Sequence, residues 1–295
     1  MRVCAIDVGT NTVMSVVADV AGGRLDVLAD EERFARLGQG VDASGRLAPE
    51  AIDRVVDRLG GALATAERLG AERVVVGATS ASRDAANVGE LQARVRAELG
   101  LDYRVISGAD EAEASFRGAL ALLPDLNAAL VVDIGGGSTE AALGTRAQGV
   151  TSRQSVDVGS VRLTERHFGV RPPPPAAVAA AEADAGQSYA RVALERPAGV
   201  PLVATGSVGR LVARLAAAEA EVPLQAVETW RDRLLGLTTS ETLAVAPDVL
   251  AGREDIAAAA LLLLAAALVR FGAEAYVPTA GGLRHGLALA AAEAP

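Results

Sequence analysis

Two stretches of the chain set carboxylates beside glycines in a pattern suited to phosphate chemistry. One is CAIDVGTNTVMSVVAD, Cys4 to Asp19, and the other is VVDIGGGSTEAAL, Val131 to Leu143. Each runs from an apolar, strand-like segment through an aspartate into glycine and hydroxyl residues. Glycine accepts positive φ and lets another molecule approach the backbone closely. Successive exposed N–H groups then form a cup for an anion. Gly135, Gly136 and Gly137 are spaced to make such a cup, with Ser138 and Thr139 adding hydroxyls; Gly9, Thr10, Asn11 and Thr12 offer the same in the first copy. The carboxylates Asp7, Asp133 and Glu140 would repel a phosphate directly. They suit one only with a divalent cation between, and Mg²⁺ takes one or two carboxylates plus waters and phosphate oxygens. A glycine run after a strand is, taken alone, a tight turn. Its recurrence, each time behind a strand-ending aspartate, is what points to a ligand.

The elements that must position these residues are legible in outline. RVCAIDV reads as a buried strand, and TVMSVVADV and RLDVLAD as strands joined at Gly22-Gly23, a hairpin turn signal. Pro49 to Gly70 carries Ile52, Val55, Val56, Leu59 and Leu63 at helical spacing. RVVVGAT is a strand. NVGELQARVRAELG has an N-cap asparagine, Asn87, a glutamate three positions on and a terminal Gly100, which predicts a helix. YRVIS and ADEAEASFRGALALL follow as strand and helix. The order βββαβαβα implies a mixed sheet with helices on its faces. The second half repeats the theme, with AALVVDIGGG, STEAALGT and QGVTSRQSVDVG as strands. SVRLTERHF is a short helix that Pro172 to Pro175 ends. VPLVATGS opens the helix Val208 to Ala218, and YVPTAGGLRHGLALAAAEA closes the chain as strand, glycine turn and helix. The two aspartate-glycine motifs lie 126 residues apart, too long a period for a solenoid and suited to a duplicated domain. The expectation is two α/β domains, residues 1–120 and 121–282, with the last segment, 283–295, packing back on the first.

Composition narrows the function classes. The chain has 295 residues, 51 % of them hydrophobic, so a large core is expected and disorder is not. A net charge of -9 argues against nucleic-acid binding, so an anionic substrate needs a local positive cluster. All 28 basic residues are arginine, and a GxxxxGK[ST] phosphate loop, which needs lysine, is excluded. The single cysteine, Cys4, rules out disulfide scaffolds and cysteine-based zinc sites. No signal-peptide pattern opens the chain. Ile256 to Val269, 14 residues, is too short to span a bilayer and reads as a core helix. These features lead us to expect a cytoplasmic protein, with no membrane and no nucleic-acid partner.

DVGTNT and DIGGGSTE resemble the two phosphate loops of the actin-like (ribonuclease H-like) fold shared by sugar kinases, acetate kinases and the 70-kDa heat-shock chaperones. More specifically, the chain resembles the exopolyphosphatase and guanosine pentaphosphate phosphohydrolase family. AIDVGTNTV, RLGQGVDASGRL, GATSASRDAANVGEL, VISGADEAEASFRGAL, VVDIGGGSTE, DVGSVRLTERHF, ATGSVGRL and GGLRHGLAL occur in that family's order and cover essentially the whole chain. The likeness is to the short form, without a C-terminal HD-type domain; neither His167 nor His285 is followed by aspartate. The resemblance implies an α/β protein of two actin-like domains, with mixed sheets flanked by helices and an active site in the interdomain cleft. It implies Mg²⁺-dependent hydrolytic removal of a terminal phosphoryl group, and leaves room for another divalent ion and for a monovalent cation. Inorganic polyphosphate and guanosine pentaphosphate both present such a group. With no motif reading as a guanine pocket, polyphosphate is favoured modestly. A phosphotransferase and a sensor without turnover remain alternatives, and a homodimer is possible.

The resemblance also implies roles. The family's catalytic glutamate matches Glu111; the family usually has Glu-Glu-Ala there and this chain has Asp110-Glu111-Ala112. Read without the family, the same segment is a solvated acidic first helical turn, favoured by the helix dipole. Acidic neighbours Asp110 and Glu113 could raise its pKa and improve it as a base. Asp133 and Glu140 match the metal ligands, with Asp7 a weaker third that can equally be a strand-end turn former. Thr10, Asn11, Gly135 to Gly137 and Ser138 match the phosphate contacts. Arg83 is the fixed charge expected on phosphate, because its planar fork binds two oxygens at once; Arg36 is a second candidate. Asn87 fits a helix cap and the ligand shell equally. His167 is expected on a helix surface or interface, His285 has no assigned role, and the Gly206 and Gly281-Gly282 turns are expected to pack the second domain.

Overall fold

β1 (Arg2–Val8) is apolar on both faces, and that fixes its place in the middle of a sheet. In the computed structural model, which describes residues 1–218 and 220–294, the chain falls into two units. The first is Met1–Asp125 together with the segment from Gly281 onward, and the second is Leu126–Ala280.

The first unit continues with β2 (Thr12–Ala21), β3 (Arg24–Phe34), α1 (Val41–Ser44), α2 (Pro49–Arg68), β4 (Arg73–Ala78), α3 (Ser80–Asp84), α4 (Val88–Leu99), β5 (Tyr103–Val105) and α5 (Gly108–Ala121). The sequence order βββαβαβα is present, with α1 and α3 as added single turns. The sheet order is β3-β2-β1-β4-β5, antiparallel across β3, β2 and β1 and parallel across β1, β4 and β5. Pro49 opens α2 at its first turn, where a missing N–H costs nothing. Ile52, Val55, Val56 and Leu59 then bury one stripe against Ile6, Val8 and Val17.

The second unit contains β6 (Ala128–Ile134), β7 (Thr139–Thr145), β8 (Gly149–Val156), α6 (Ser160–His167), α7 (Pro175–Ala190), β9 (Leu202–Thr205), α8 (Gly206–Leu215), β10 (Val222–Pro223), α9 (Leu224–Leu235), α10 (Thr239–Val245), α11 (Pro247–Leu250), α12 (Ala257–Arg270) and β11 (Ala275–Pro278). Its sheet order, β8-β7-β6-β9-β11-β10, repeats that of the first unit with β10 added at one edge. The repeat extends to hydrogen bonds: Gly9 N donates to Thr12 O at 2.9 Å, and Gly135 N to Ser138 O at 2.9 Å. α12 is buried from Ala257 to Ala265, as expected of a core helix. Among the described residues no helix is long and apolar enough to cross a membrane.

α13 (Leu283–Glu293) belongs to the first unit and covers the sheet face opposite α2, where Ala288 and Leu289 pack on Val3, Ala5 and Val16. Arg284, only 2 % exposed, is held there by Asp30 on β3: Nε donates to Oδ1 and Nη2 to Oδ2, both at 2.7 Å. His285 is fully buried beside them, its Nε2 3.9 Å from Asp30 Oδ2. The last glycine turn therefore packs the first unit, contrary to the expectation that it packs the second. A Cβ on Gly286 would lie 1.9 Å from the Ala114 carbonyl oxygen, and one on Gly118 2.0 Å from that of Gly282. Glycine at these positions lets α13 and α5 touch backbone to backbone.

Candidate active site

In the first unit the parallel strands β1, β4 and β5 end at one edge of the sheet, and the segments after them carry the candidate residues. Gly9 to Asn11 follow β1, Thr79 to Asp84 follow β4, and Ile106 to Glu111 follow β5. Such carboxyl edges are where α/β sheets bind ligands. Thr79 N donates to Val8 O, tying the second segment to the first. Asn11 O accepts from both Ala35 N (3.0 Å) and Arg36 N (2.9 Å), and Thr10 O from Gly38 N (2.8 Å). Arg36, Thr10 and Asn11 thus share one turn cluster, with Arg36 at φ 48, an uncommon value for a side-chain-bearing residue. Arg54 on α2 clamps the same segment through Ala35 O at 2.7 Å.

Glu111 sits in the first turn of α5, behind the Ser107 cap, whose oxygen accepts from Asp110 N. It is buried, and its Oε2 accepts from Arg83 Nη1 at 2.6 Å; the same Nη1 also donates to Ile106 O at 3.1 Å. The side chain expected to hold phosphate and the one expected to act on water are thus an ion pair. The acidic neighbour Asp110 accepts from Ser107 Oγ at 2.8 Å. Asn87 occupies the cap position of α4 without capping it. Its Oδ1 accepts from Leu47 N at 2.8 Å and its Nδ2 donates to Leu47 O at 3.1 Å, pinning the loop before α2.

The glycine loop of the second unit, residues 135–138, is built against the N-terminus of α6. Gly135 O accepts from Ser160 N (2.9 Å), Gly136 O from Val161 N (2.8 Å), and Gly137 O from Arg162 Nε (2.8 Å). In a trans peptide the following N–H points opposite to the carbonyl. The amides of Gly136, Gly137 and Ser138 are therefore aimed away from α6 in succession, the arrangement that accepts an anion. Neither Gly9 nor Gly135 is in the left-handed region, so positive φ is not what glycine supplies at these turns. Close approach is: a Cβ on Gly159 would lie 2.4 Å from the Gly136 carbonyl carbon. Gly159, Ser160 and Arg162 were not among the sequence candidates, because what they grip is backbone some 25 residues away. Thr139 corrects another expectation. Its hydroxyl donates to Val158 O at 2.7 Å inside the core and is not available to an anion.

Asp133, next to last in β6, pairs directly across the ladder with Glu140 on β7. Directly paired residues project from the same face, roughly 4.5–5.5 Å apart at Cβ, and like charges so placed repel. Glu140 is 2 % exposed, so water screens this repulsion poorly. A divalent cation bridging the pair would remove it. The donor set fits Mg²⁺, which needs few carboxylates and completes its shell with water and phosphate oxygens. Among the described residues no group of three His, Cys, Asp or Glu is gathered for a metal. Asp7, at the matching position of the first unit, pairs instead with Met14, a thioether that a hard cation does not take. Gly206 (φ 70) opens α8 beside Asp133, where a Cβ would lie 3.2 Å from Oδ1, so this turn borders the carboxylate as well as packing the unit. His167 pairs with Asp184 of α7 at 3.0 Å, on the helix surface as expected.

Residues 16–294 match the model of the Ppx/GppA phosphatase family. Exopolyphosphatase 2 of Mycobacterium tuberculosis is 46 % identical over 182 residues, covering 58 % of this chain and 56 % of the relative, so the match spans little more than half of that protein. Among solved structures, an exopolyphosphatase-like protein superposes with a TM-score of 0.90 at 27 % identity over 98 % of this chain and 97 % of the other. An exopolyphosphatase from Cytophaga hutchinsonii gives 0.85 at 25 % identity over 97 % and 96 %. The Aquifex aeolicus Ppx/GppA family member gives 0.80 at 25 % identity over 99 % and 98 %. The two repeated mixed sheets are the actin-like architecture of these neighbours, and the chain belongs to the Ppx/GppA phosphatase family.

Proposed function

We propose that the protein is a divalent-cation-dependent exopolyphosphatase that removes the terminal phosphoryl group of linear polyphosphate as orthophosphate. The observation that carries this reading is the glycine loop with three successive amides turned away from α6, beside the Asp133–Glu140 pair. An anion cup next to two carboxylates makes chemical sense for a phosphate that arrives with a cation. Kinship to exopolyphosphatases supports the choice of substrate.

In this reading the amides of Gly136 to Ser138 hold the terminal phosphoryl oxygens, and Asn11 and Arg36 add contacts along the chain. Glu111 takes a proton from water as its oxygen bonds to phosphorus. The bridging P–O bond then breaks, and the shortened chain leaves with the electron pair. Arg83 holds the Glu111 carboxylate at a fixed angle and offers charge to the phosphoryl oxygens. Asp133 and Glu140 would hold Mg²⁺, which when bound neutralises charge building on the transferred group.

The test is phosphate release from long-chain polyphosphate and from guanosine pentaphosphate at equal concentrations of terminal phosphoryl groups, with Mg²⁺ and with EDTA. Release from polyphosphate that EDTA stops is the expected result. Release from guanosine pentaphosphate alone makes the nucleotide the substrate. Turnover that requires a nucleotide acceptor indicates a phosphotransferase, and tight binding without turnover a sensor.

A further inference from the structure

Ser155 on β8 pairs directly across the ladder with Glu140 on β7, which pairs directly with Asp133 on β6. The three side chains therefore form a row across adjacent strands on one face of the second sheet. Ser155 Oγ donates to Glu140 Oε1 at 2.7 Å.

We propose that Ser155 is a positioning residue that holds the Glu140 carboxylate ready for the cation. The proposal rests on the reading of Asp133 and Glu140 as cation ligands. A glutamate side chain has several rotatable bonds, and beside Asp133 its unconstrained carboxylate would swing away from the like charge. A charge-assisted hydrogen bond fixes Oε1 before the cation arrives and so sets the direction of Oε2. The choice of a hydroxyl matters. An arginine at this place would orient the carboxylate but also cancel the charge that a cation needs. A hydroxyl orders the group and leaves its charge intact.

The first unit supplies an internal comparison. Its corresponding row runs Asp7, Met14, Glu32. The duplication kept the strand register and the first aspartate. The carboxylate and the hydroxyl that orients it occur together in the second unit, as a pair that works jointly would.

The experiment titrates Mn²⁺, followed by electron paramagnetic resonance, into the intact wild type and the Ser155→Ala, Ser155→Thr and Glu140→Gln variants. Melting curves without metal serve as the control for folding. Partners of this kind typically alter metal affinity 10- to 100-fold, and an exposed edge strand such as β8 should show the lower end. The expected result is a loss of about 10-fold in Ser155→Ala, recovery in Ser155→Thr, and unchanged melting. Turnover of Ser155→Ala should return toward wild type as the metal concentration is raised. Wild-type Mn²⁺ affinity in Ser155→Ala, with Glu140→Gln impaired, overturns the role of Ser155 alone. Equal Mn²⁺ binding by wild type and Glu140→Gln overturns the cation site, and this proposal with it.

Discussion

Arg83 Nη1 lies 2.6 Å from Glu111 Oε2, with only 20 % and 8 % of the two side chains exposed. In the proposed mechanism, the residue that acts on water is thus oriented by the residue that meets phosphate. Removing either one disturbs the other.

Glu111→Ala should lower phosphate release roughly 10²–10⁴-fold while leaving polyphosphate binding close to wild type. Arg83→Ala should weaken both turnover and binding, and Arg83→Lys should recover little, because a single ammonium cannot reproduce a planar fork. The double variant should be clearly less impaired than the product of the singles. Steady-state kinetics with a binding assay checks all three. Near-normal turnover in Glu111→Ala would take it out of the mechanism.

Asp133→Asn and Glu140→Gln should each raise the Mg²⁺ concentration needed for half-maximal activity by at least about 10-fold, whereas Asp7→Asn should shift it less. The asymmetry follows from the cross-strand partners, Glu140 for Asp133 and Met14 for Asp7. Equal shifts for all three would contradict the asymmetry between the two strand ends.

Gly286→Ala should destabilise the protein by about 1–3 kcal/mol and depress activity beyond what lost stability explains. The added methyl would meet the Ala114 carbonyl oxygen at 1.9 Å, and Ala114 lies one turn from Glu111 on α5. Gly89→Ala, on α4 with nothing within 4 Å of the new carbon, is the control and should be neutral or stabilising. Denaturant melts and kinetics on both variants distinguish a displaced α5 from a general weakening.

Asp30→Ala should cost about 3–5 kcal/mol, because it removes the carboxylate that a buried guanidinium hydrogen-bonds twice. Combining it with Arg284→Met should recover much of that loss. Urea unfolding decides the matter, and a cost below about 1 kcal/mol for Asp30→Ala would show that water reaches Arg284.

Alkaline stability offers a separate check. Burial pushes the Cys4 thiol from 9.0 up to about 12, with Glu31 adding to the shift. Above pH 9 the unfolded chain releases this proton and the folded chain keeps it, so stability falls as pH rises toward 12, by up to about 1.4 kcal/mol per pH unit. Burial raises Tyr103, Tyr189 and Tyr276 as well, and these join at higher pH. Between pH 9 and 10, Cys4→Ala should therefore flatten the slope of stability against pH, although its baseline is lower. Identical slopes would contradict the buried thiol.

What the sequence made legible was local. The Gly22-Gly23 hairpin, the stripe on α2, the Gly100 end of α4 and the paired aspartate-glycine motifs each announce themselves within a few residues, because periodicity and turn chemistry act at that range. The site was legible as a set of candidates, and less so as an arrangement. Nothing near Arg83 signals that Glu111 will pair with it 28 positions later. Asn87 shows the conflict directly: its local pattern says cap, but a tertiary contact with Leu47 claims both ends of its amide. The grip of α6 on the glycine loop runs through backbone carbonyls, which leave no side-chain pattern to read. The stretch covering α9 to α11 gives little sequence signal: α10 and α11 are 7 and 4 residues long, and α9 buries only Val227 and Leu234.

The return of α13 to the sheet of β1 and β2 has a consequence for synthesis. The polypeptide leaves the first unit at Asp125 and rejoins it only at Gly281. On the ribosome, Val3, Ala5 and Val16 emerge well before the helix that shields them from water. The second unit, contiguous in the chain, can mature while its predecessor waits with one greasy face bare. The first unit, begun before the second, is thus completed after it.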